Sequence, residues 1–260
     1  MNNDKQDTIV DLIRQFIKGK QYFNTKALKD YLQSILKNFN NQTVNQYLSN
    51  LKKNREIYSC GRNWYSTIDK PFILDTEPVL DLIHLLNEHF PFLQFTVWNT
   101  RQIISYYHHL PFKYTYFIYT EFDALIPVFE FLVGKGFNVY NNPGKQIVRK
   151  HWIINDENYI IRPDISESPV EGTEIWKIAT IEKILVDLYE EKDKLYLMDG
   201  SEFKRIFYNV IFSGRVNIPT MLKYSYRRSR GRIRKEFEKL LYSFKGEQGV
   251  VYNRFRRIND

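Results

Sequence analysis

Apolar positions recur at helical spacing from Asp7 onward. Ile9, Leu12, Ile13, Phe16 and Ile17 share one face, and Gly19 stands where such a helix would stop. A second helix carries Ala27, Leu28, Tyr31, Leu32 and Ile35, with Asn24 or Thr25 placed to cap it through a side-chain oxygen. A third spans Gln42 to Lys53, where Val44, Leu48 and Leu51 supply one buried face and nearly everything else is polar. Glu56 to Cys60 and Trp64 to Ile68 then read as two short strands around a Gly61-Arg62-Asn63 turn. Three short helices followed by a hairpin is the element order of a winged helix-turn-helix, whose last helix enters the DNA major groove.

Residues 69–77 contain Pro71 and no helical pattern, and read as a linker. Beyond it the periodicity alternates. A helix over Val79 to Phe90 precedes a strand at Phe92 to Trp98; a helix holding Ile103, Ile104 and Tyr107 precedes a strand at Tyr114 to Thr120. A helix from Asp123 to Val133 stops at Gly134-Lys135-Gly136, and Phe137 to Tyr140, Ile147 to Ile154 and Tyr159 to Arg162 continue the mixed pattern. Ala179 to Tyr189 is a helix with Thr180 as its cap and Ile181, Ile184, Leu185 and Leu188 as its stripe. Three helices follow, on Phe203 to Ile211, Ile218 to Tyr226 and Ile233 to Phe244. The expected fold class is α/β (α+β): a winged helix at 1–68, a linker at 69–77, and an α/β domain at 78–260 ending in a basic helical layer from residue 200.

Composition sharpens this picture. With 43% hydrophobic and 16% aromatic residues, and only 11 Gly and 9 Pro in 260 residues, the chain can bury a core and is neither disordered nor fibrous. The net charge of +8 is unevenly spread. Residues 1–68 carry 11 basic and 5 acidic groups and residues 204–260 carry 15 and 4, whereas residues 69–203 carry 12 and 21. Two basic ends around an acidic block suit a polyanion partner for the ends. One cysteine, no apolar run at the amino terminus and no stretch of about 18 apolar residues predict a cytoplasmic protein without a membrane partner.

The third helix has the chemistry of a reader. Thr43, Asn45, Gln46 and Ser49 are uncharged donors and acceptors suited to base edges, and Asn or Gln can pair bidentately with adenine. Lys26, Lys52, Lys53, Arg55 and Arg62 are the candidates for phosphate, which supply position and affinity but no sequence choice. Lys223, Arg227, Arg228, Arg230, Arg232, Arg234 and Lys235, interleaved with Tyr224 and Tyr226, can grip a nucleic-acid backbone or the acidic face of a partner or of the chain's own middle.

Catalytic signals are weak. His84 and His89 lie five apart, not the four that would place two metal ligands on one helix face, and none of His84, His89, His108, His109 and His151 forms a zinc spacing. Gly134-Lys135-Gly136 follows a helix where a phosphate loop would open one. Pro163-Asp164 followed by Glu174 and Lys177 is near a metal-dependent nuclease pattern. The acidic residue and the Lys are three apart, however, so on a strand they point to opposite faces. No catalytic residue, metal or cofactor is therefore expected.

The stretch Ala179-Thr180-Ile181-Glu182-Lys183-Ile184-Leu185-Val186-Asp187-Leu188-Tyr189 resembles the central motif of AbiEi-like antitoxins. Val97 to Thr100 ahead of a strand at Tyr116 to Glu121, Asn217 to Tyr224 with its Arg-rich sequel, and the domain order agree with that resemblance. It implies a transcriptional autorepressor that binds inverted repeats in its own promoter and counteracts a nucleotidyltransferase toxin in an abortive-infection, phage-defence toxin–antitoxin system. By the residues alone, Glu182, Lys183 and Asp187 also fit a helix whose polar face makes local ion pairs of about 0.2–0.5 kcal/mol each. The alternatives are a nuclease-like enzyme using Asp164, Glu174 and Lys177, and a pure protein-binding module. Binding to an inverted repeat is expected to be paired, either as a dimer or as two monomers meeting on the DNA.

Overall fold

The computed structural model describes residues 2–36, 43–111, 113–146, 148 and 157–242. It is a mixed α/β protein that divides into two compact units, one of residues 1–72 with 211–220, the other of residues 73–210 with 221–260.

In unit 1, α1 (Asn2–Ile17) is followed by a short strand, β1 (Tyr22–Asn24), that the periodicity did not announce. Then come α2 (Thr25–Ile35), α3 (Val44–Lys53) and the hairpin strands β2 (Tyr58–Ser59) and β3 (Trp64–Ser66). The expected start of the third helix at Gln42 lies outside the described residues. β3 is central, pairing antiparallel with β1 (Phe23 opposite Tyr65) and with β2 (Ser59 opposite Tyr65). Asn24 caps α2 by accepting the Ala27 N–H at 2.8 Å, as its side chain allows. One core unites Ile13, Phe16, Phe23, Leu28, Leu32, Val44, Leu48 and Leu51, all helix-stripe or strand positions, with Ile57 just before β2.

The stretch 69–77, expected as a linker, is partly built into unit 1. The Arg215 N–H donates to Lys70 O at 2.8 Å, the Phe72 N–H donates to Arg215 O at 3.1 Å, and the Arg215 guanidinium reaches Ile68 O and Asp69 O. Residues 211–220 therefore group with unit 1, a grouping that a division at residues 69–77 alone leaves out. Gly214 permits the approach, since a Cβ there would lie 2.7 Å from Phe72 Cα.

Unit 2 holds a six-stranded sheet in the order β6-β7-β5-β4-β9-β8. The strands are β4 (Phe95–Asn99), β5 (Tyr114–Thr120), β6 (Val139–Asn141), β7 (Glu157–Pro163), β8 (Val170–Gly172) and β9 (Trp176–Ala179). β4 runs antiparallel to β5 and parallel to β9, while β5, β7 and β6 are mutually parallel. Side chains alternate faces along each strand. Phe95, Val97, Tyr116, Ile118, Tyr159 and Ile161 face α4 (Glu77–His89) and α5 (Leu125–Gly134) in one core. Tyr119 and Arg162, on the opposite face, meet α6 (Ile181–Glu191). The remaining helices are α7 (Gly200–Ser213), α8 (Ile218–Ser229) and α9 (Arg232–Tyr242). Phe203, Phe207 and Phe237 cluster between α7 and α9.

The helix expected around Ile103, Ile104 and Tyr107 is instead a 3-10 helix over Thr100–Tyr106, kinked at Ile103. Asn99 and Gln102 form a capping box at its start, which commits the chain to a tight turn directly after β4. The expected element at Ile147 to Ile154 falls outside the described residues apart from Val148, as does Phe244 of the last helix. No described helix is long and apolar enough to cross a membrane.

Candidate nucleic-acid interface

On α3 the buried residues Val44, Leu48 and Leu51 face the core of unit 1. Helical geometry then assigns the rest: Asn45, Ser49 and Lys52, at i, i+4 and i+7, form one outward stripe, and Gln46, Asn50 and Lys53 form the next. Asn45, Gln46, Asn50, Lys52 and Lys53 are exposed and Ser49 is half-buried. Thr43 occupies the N-cap position, where its carbonyl accepts the N–H groups of Gln46 (3.0 Å) and Tyr47 (3.2 Å).

The end of α3 is a Schellman motif: the Glu56 N–H donates to Leu51 O and the Arg55 N–H to Lys52 O, each at 3.0 Å. This places Arg55 at φ 59°, a left-handed conformation usually given to Gly. Next to it, Glu56 is held in a two-pronged pair by Arg14 (Nε to Oε2 2.9 Å, Nη2 to Oε1 3.0 Å). The hydrogen bonds from Arg14 hold the Glu56 carboxyl below its ordinary range. The acidic group nearest the end of α3 is thereby neutralised where an anion would approach.

The hairpin tip is fixed to α2. Asn63, itself at φ 60°, offers its carbonyl to the Thr25 N–H at 2.9 Å. Gly61, at φ 119°, tolerates no side chain, because a Cβ would lie 2.4 Å from Asn217 Oδ1 and 2.8 Å from Pro219. These constraints bring Arg62 beside the start of α2. An open groove of about 600 Å³ results, lined by Lys26 and Lys29 from α2, Asn45 from α3, and Arg62 and Trp64 from the hairpin, with Asp30 its one acidic residue. Three sequence-predicted residues on three elements, Lys26, Asn45 and Arg62, therefore converge. Lys29 and Gln33 of the same groove went unnoticed in the sequence, although with Lys26 they follow the 3-4 spacing of one helix face. Cys60 behind the hairpin is buried, and burial pushes its thiol up to about 12, so it is an inert packing residue.

The basic segment near the carboxyl terminus has a different character. Arg228 is half-buried and engaged internally: its guanidinium lies 3.1 Å from Asp187 Oδ1 and 2.7 Å from Glu191 Oε1. Lys223 and Arg227 both pair with Glu167, Arg232 with Glu190, and Arg234 with Glu238. Lys223, chiefly, with Arg227 draws the Glu167 carboxyl downward. Arg230 and Lys235 are exposed with no ion pair among the described residues. Much of this positive charge thus answers acidic groups of unit 2 itself.

The residues of the central motif are buried as well. Lys183 and Asp187, expected on a polar helix face with local ion pairs, do pair with each other, and both are fully inaccessible. Lys183 Nζ lies 2.9 Å from Asp187 Oδ2 and donates to Tyr224 Oη at 2.8 Å, and Tyr224 donates to Asp187 Oδ1 at 2.9 Å. Glu191, one more turn along α6, joins Arg228 to Arg162 of β7, whose other nitrogen reaches Asn142 Oδ1 and Pro143 O. Desolvation lowers the Lys183 ammonium and raises the Tyr224 hydroxyl. Thr180 occupies the N-cap position of α6, as expected, but its hydroxyl donates to the Glu182 carboxylate rather than accepting a backbone N–H.

Asp164, Glu174 and Lys177 are not brought together as a strand-borne metal site requires. Asp164 follows β7 and Lys177 lies on β9, with β5 and β4 between them, a separation of roughly 14 Å at the usual strand spacing. His84 is exposed on α4, His89 stacks on Phe131 at 3.8 Å, and His151 lies outside the described residues.

A family model described as "Family of unknown function (DUF6577)" matches residues 43–244, and the chain belongs to that family. No curated protein matches it.

Proposed function

We propose that this DUF6577 protein binds DNA through unit 1, used as a winged helix-turn-helix with α3 in the major groove and the β2–β3 hairpin as the wing. The observation that carries the reading is the convergence of Lys26, Asn45 and Arg62 on one groove beside an outward polar face of α3. Asn45, Gln46 and Ser49 then contact base edges, with Thr43 at the helix start. Lys26, Lys52, Lys53, Arg55 and Arg62 hold phosphates, and Lys29 joins them.

The biological role we propose rests on the resemblance to AbiEi-like antitoxins: a cytoplasmic, non-enzymatic autorepressor that binds inverted repeats in its promoter and counteracts a nucleotidyltransferase toxin. The motif that carries the resemblance lies in the interior of unit 2, so it supports a shared architecture there, not a shared contact surface. The separation of Asp164 from Lys177 disfavours the nuclease alternative.

A mobility-shift titration with the duplex upstream of the gene and a scrambled duplex tests this function. Selective binding to the natural duplex is expected, and the Asn45→Ala, Gln46→Ala double variant should bind both duplexes alike. Equal, weak affinity of the unaltered protein for both would refute sequence-specific repression and favour the protein-binding module.

A further inference from the structure

Among the described residues, one group of metal-ligating side chains is assembled from distant parts of unit 2: His108, His109 and Glu202. The histidines follow the 3-10 helix after β4, and Glu202 lies in the first turn of α7. That turn is fixed by Asp199, whose Oδ1 accepts the N–H groups of Ser201 and Glu202, each at 2.8 Å. Glu202 is 7% exposed, and its Oε1 accepts the backbone N–H of His108 at 2.6 Å and of His109 at 3.2 Å. One carboxylate thus orients two consecutive peptide units, and both imidazoles emerge on the same side.

The rings come together at the surface. His108 Nδ1 lies 3.1 Å from His109 Nε2, and one ligand atom from each of the three residues lies within 4.8 Å of the others. Around a tetrahedral Zn²⁺ with bonds of 2.0–2.1 Å, ligand atoms stand about 3.3 Å apart, so the two nitrogens already have the spacing of a shared edge. Both imidazoles are exposed, whereas the carboxylate beside them is buried.

We propose that His108, His109 and Glu202 form a binding site for a divalent transition-metal ion, with Zn²⁺ the best fit. Two imidazole nitrogens and one carboxylate oxygen suit zinc, whereas Ca²⁺ and Mg²⁺ require oxygen shells. The solvent side leaves a fourth position for water. A bound ion would clip the segment after the 3-10 helix to α7.

Calorimetric titration of Zn²⁺ into the untagged full chain near neutral pH tests the site. One equivalent is expected to bind, with affinity falling at least about tenfold in His108→Ala and in His109→Ala. Glu202→Gln, which keeps an acceptor oxygen for the two backbone N–H groups, should also weaken binding. His84→Ala, at an exposed histidine on α4, should leave it unchanged. Absence of Zn²⁺ binding, binding that survives in the folded His108→Ala, His109→Ala double variant, or binding lost in His84→Ala would each overturn the proposal.

Discussion

Arg55 occupies a backbone position that Gly would fill at lower cost. Its φ of 59° closes the Schellman motif of α3, and a left-handed conformation costs an L-residue about 1–2 kcal/mol. A long cation there puts positive charge at the end of α3, beside a Glu56 that Arg14 has neutralised. Arg55→Gly is accordingly expected to raise stability in urea by roughly 0.5–1 kcal/mol, allowing for the extra freedom of Gly in the unfolded chain, while weakening DNA binding. A loss of stability in the same melt would contradict this view of the turn. Asn63 makes the opposite use of the left-handed region, turning the hairpin so that its own carbonyl reaches Thr25.

At the scale of elements, α6 shows why a polar stripe is ambiguous in a sequence. Lys183, Asp187 and Glu191 recur every four residues, a spacing shared by solvated surfaces and by buried seams. Ile181, Ile184, Leu185 and Leu188 keep to one stripe, as on a surface helix, and only Val186 lies off it, so the sequence does not show that the polar side of α6 is covered as well. Tyr224 and Arg228, four apart on α8, are the complementary stripe. Asp187→Ala would leave the buried Lys183 without its anion and Arg228 with Glu191 alone, and is expected to cost about 3–5 kcal/mol by chemical denaturation. Lys183→Met, which leaves Arg228 and Tyr224 on Asp187, should cost less; the reverse order would show that the network is not organised around Asp187. The α3 stripe, by contrast, was legible because its three apolar residues define a single face. β1 was not, because three residues are too few to show an alternating period and its partner β3 lies some forty positions away. The His108, His109 and Glu202 group was invisible for the same reason, since local spacing carries no trace of a ligand on another element.

Over the whole chain, the two basic ends fare differently. The amino-terminal cations Lys26, Lys29, Lys52, Lys53 and Arg62 remain outward in unit 1, whereas most of the Arg-rich segment pairs with acids of unit 2. Charge counts alone made the ends look alike; the acidic middle that separates them is also what engages the second. The proposed attraction to DNA therefore rests on the cations of unit 1. The most direct test of that central claim is a fluorescence-anisotropy titration of the upstream duplex at several salt concentrations. With the six phosphate contacts proposed for Lys26, Lys29, Lys52, Lys53, Arg55 and Arg62, the logarithm of affinity should fall with that of salt at a slope of roughly −5 to −6 per protomer. The Lys52→Ala, Lys53→Ala double variant should flatten the slope by about 2, while an Arg230→Ala, Lys235→Ala variant leaves it unchanged. Affinity indifferent to salt, or a slope lost on changing Arg230 and Lys235 and kept without Lys52 and Lys53, would contradict the account.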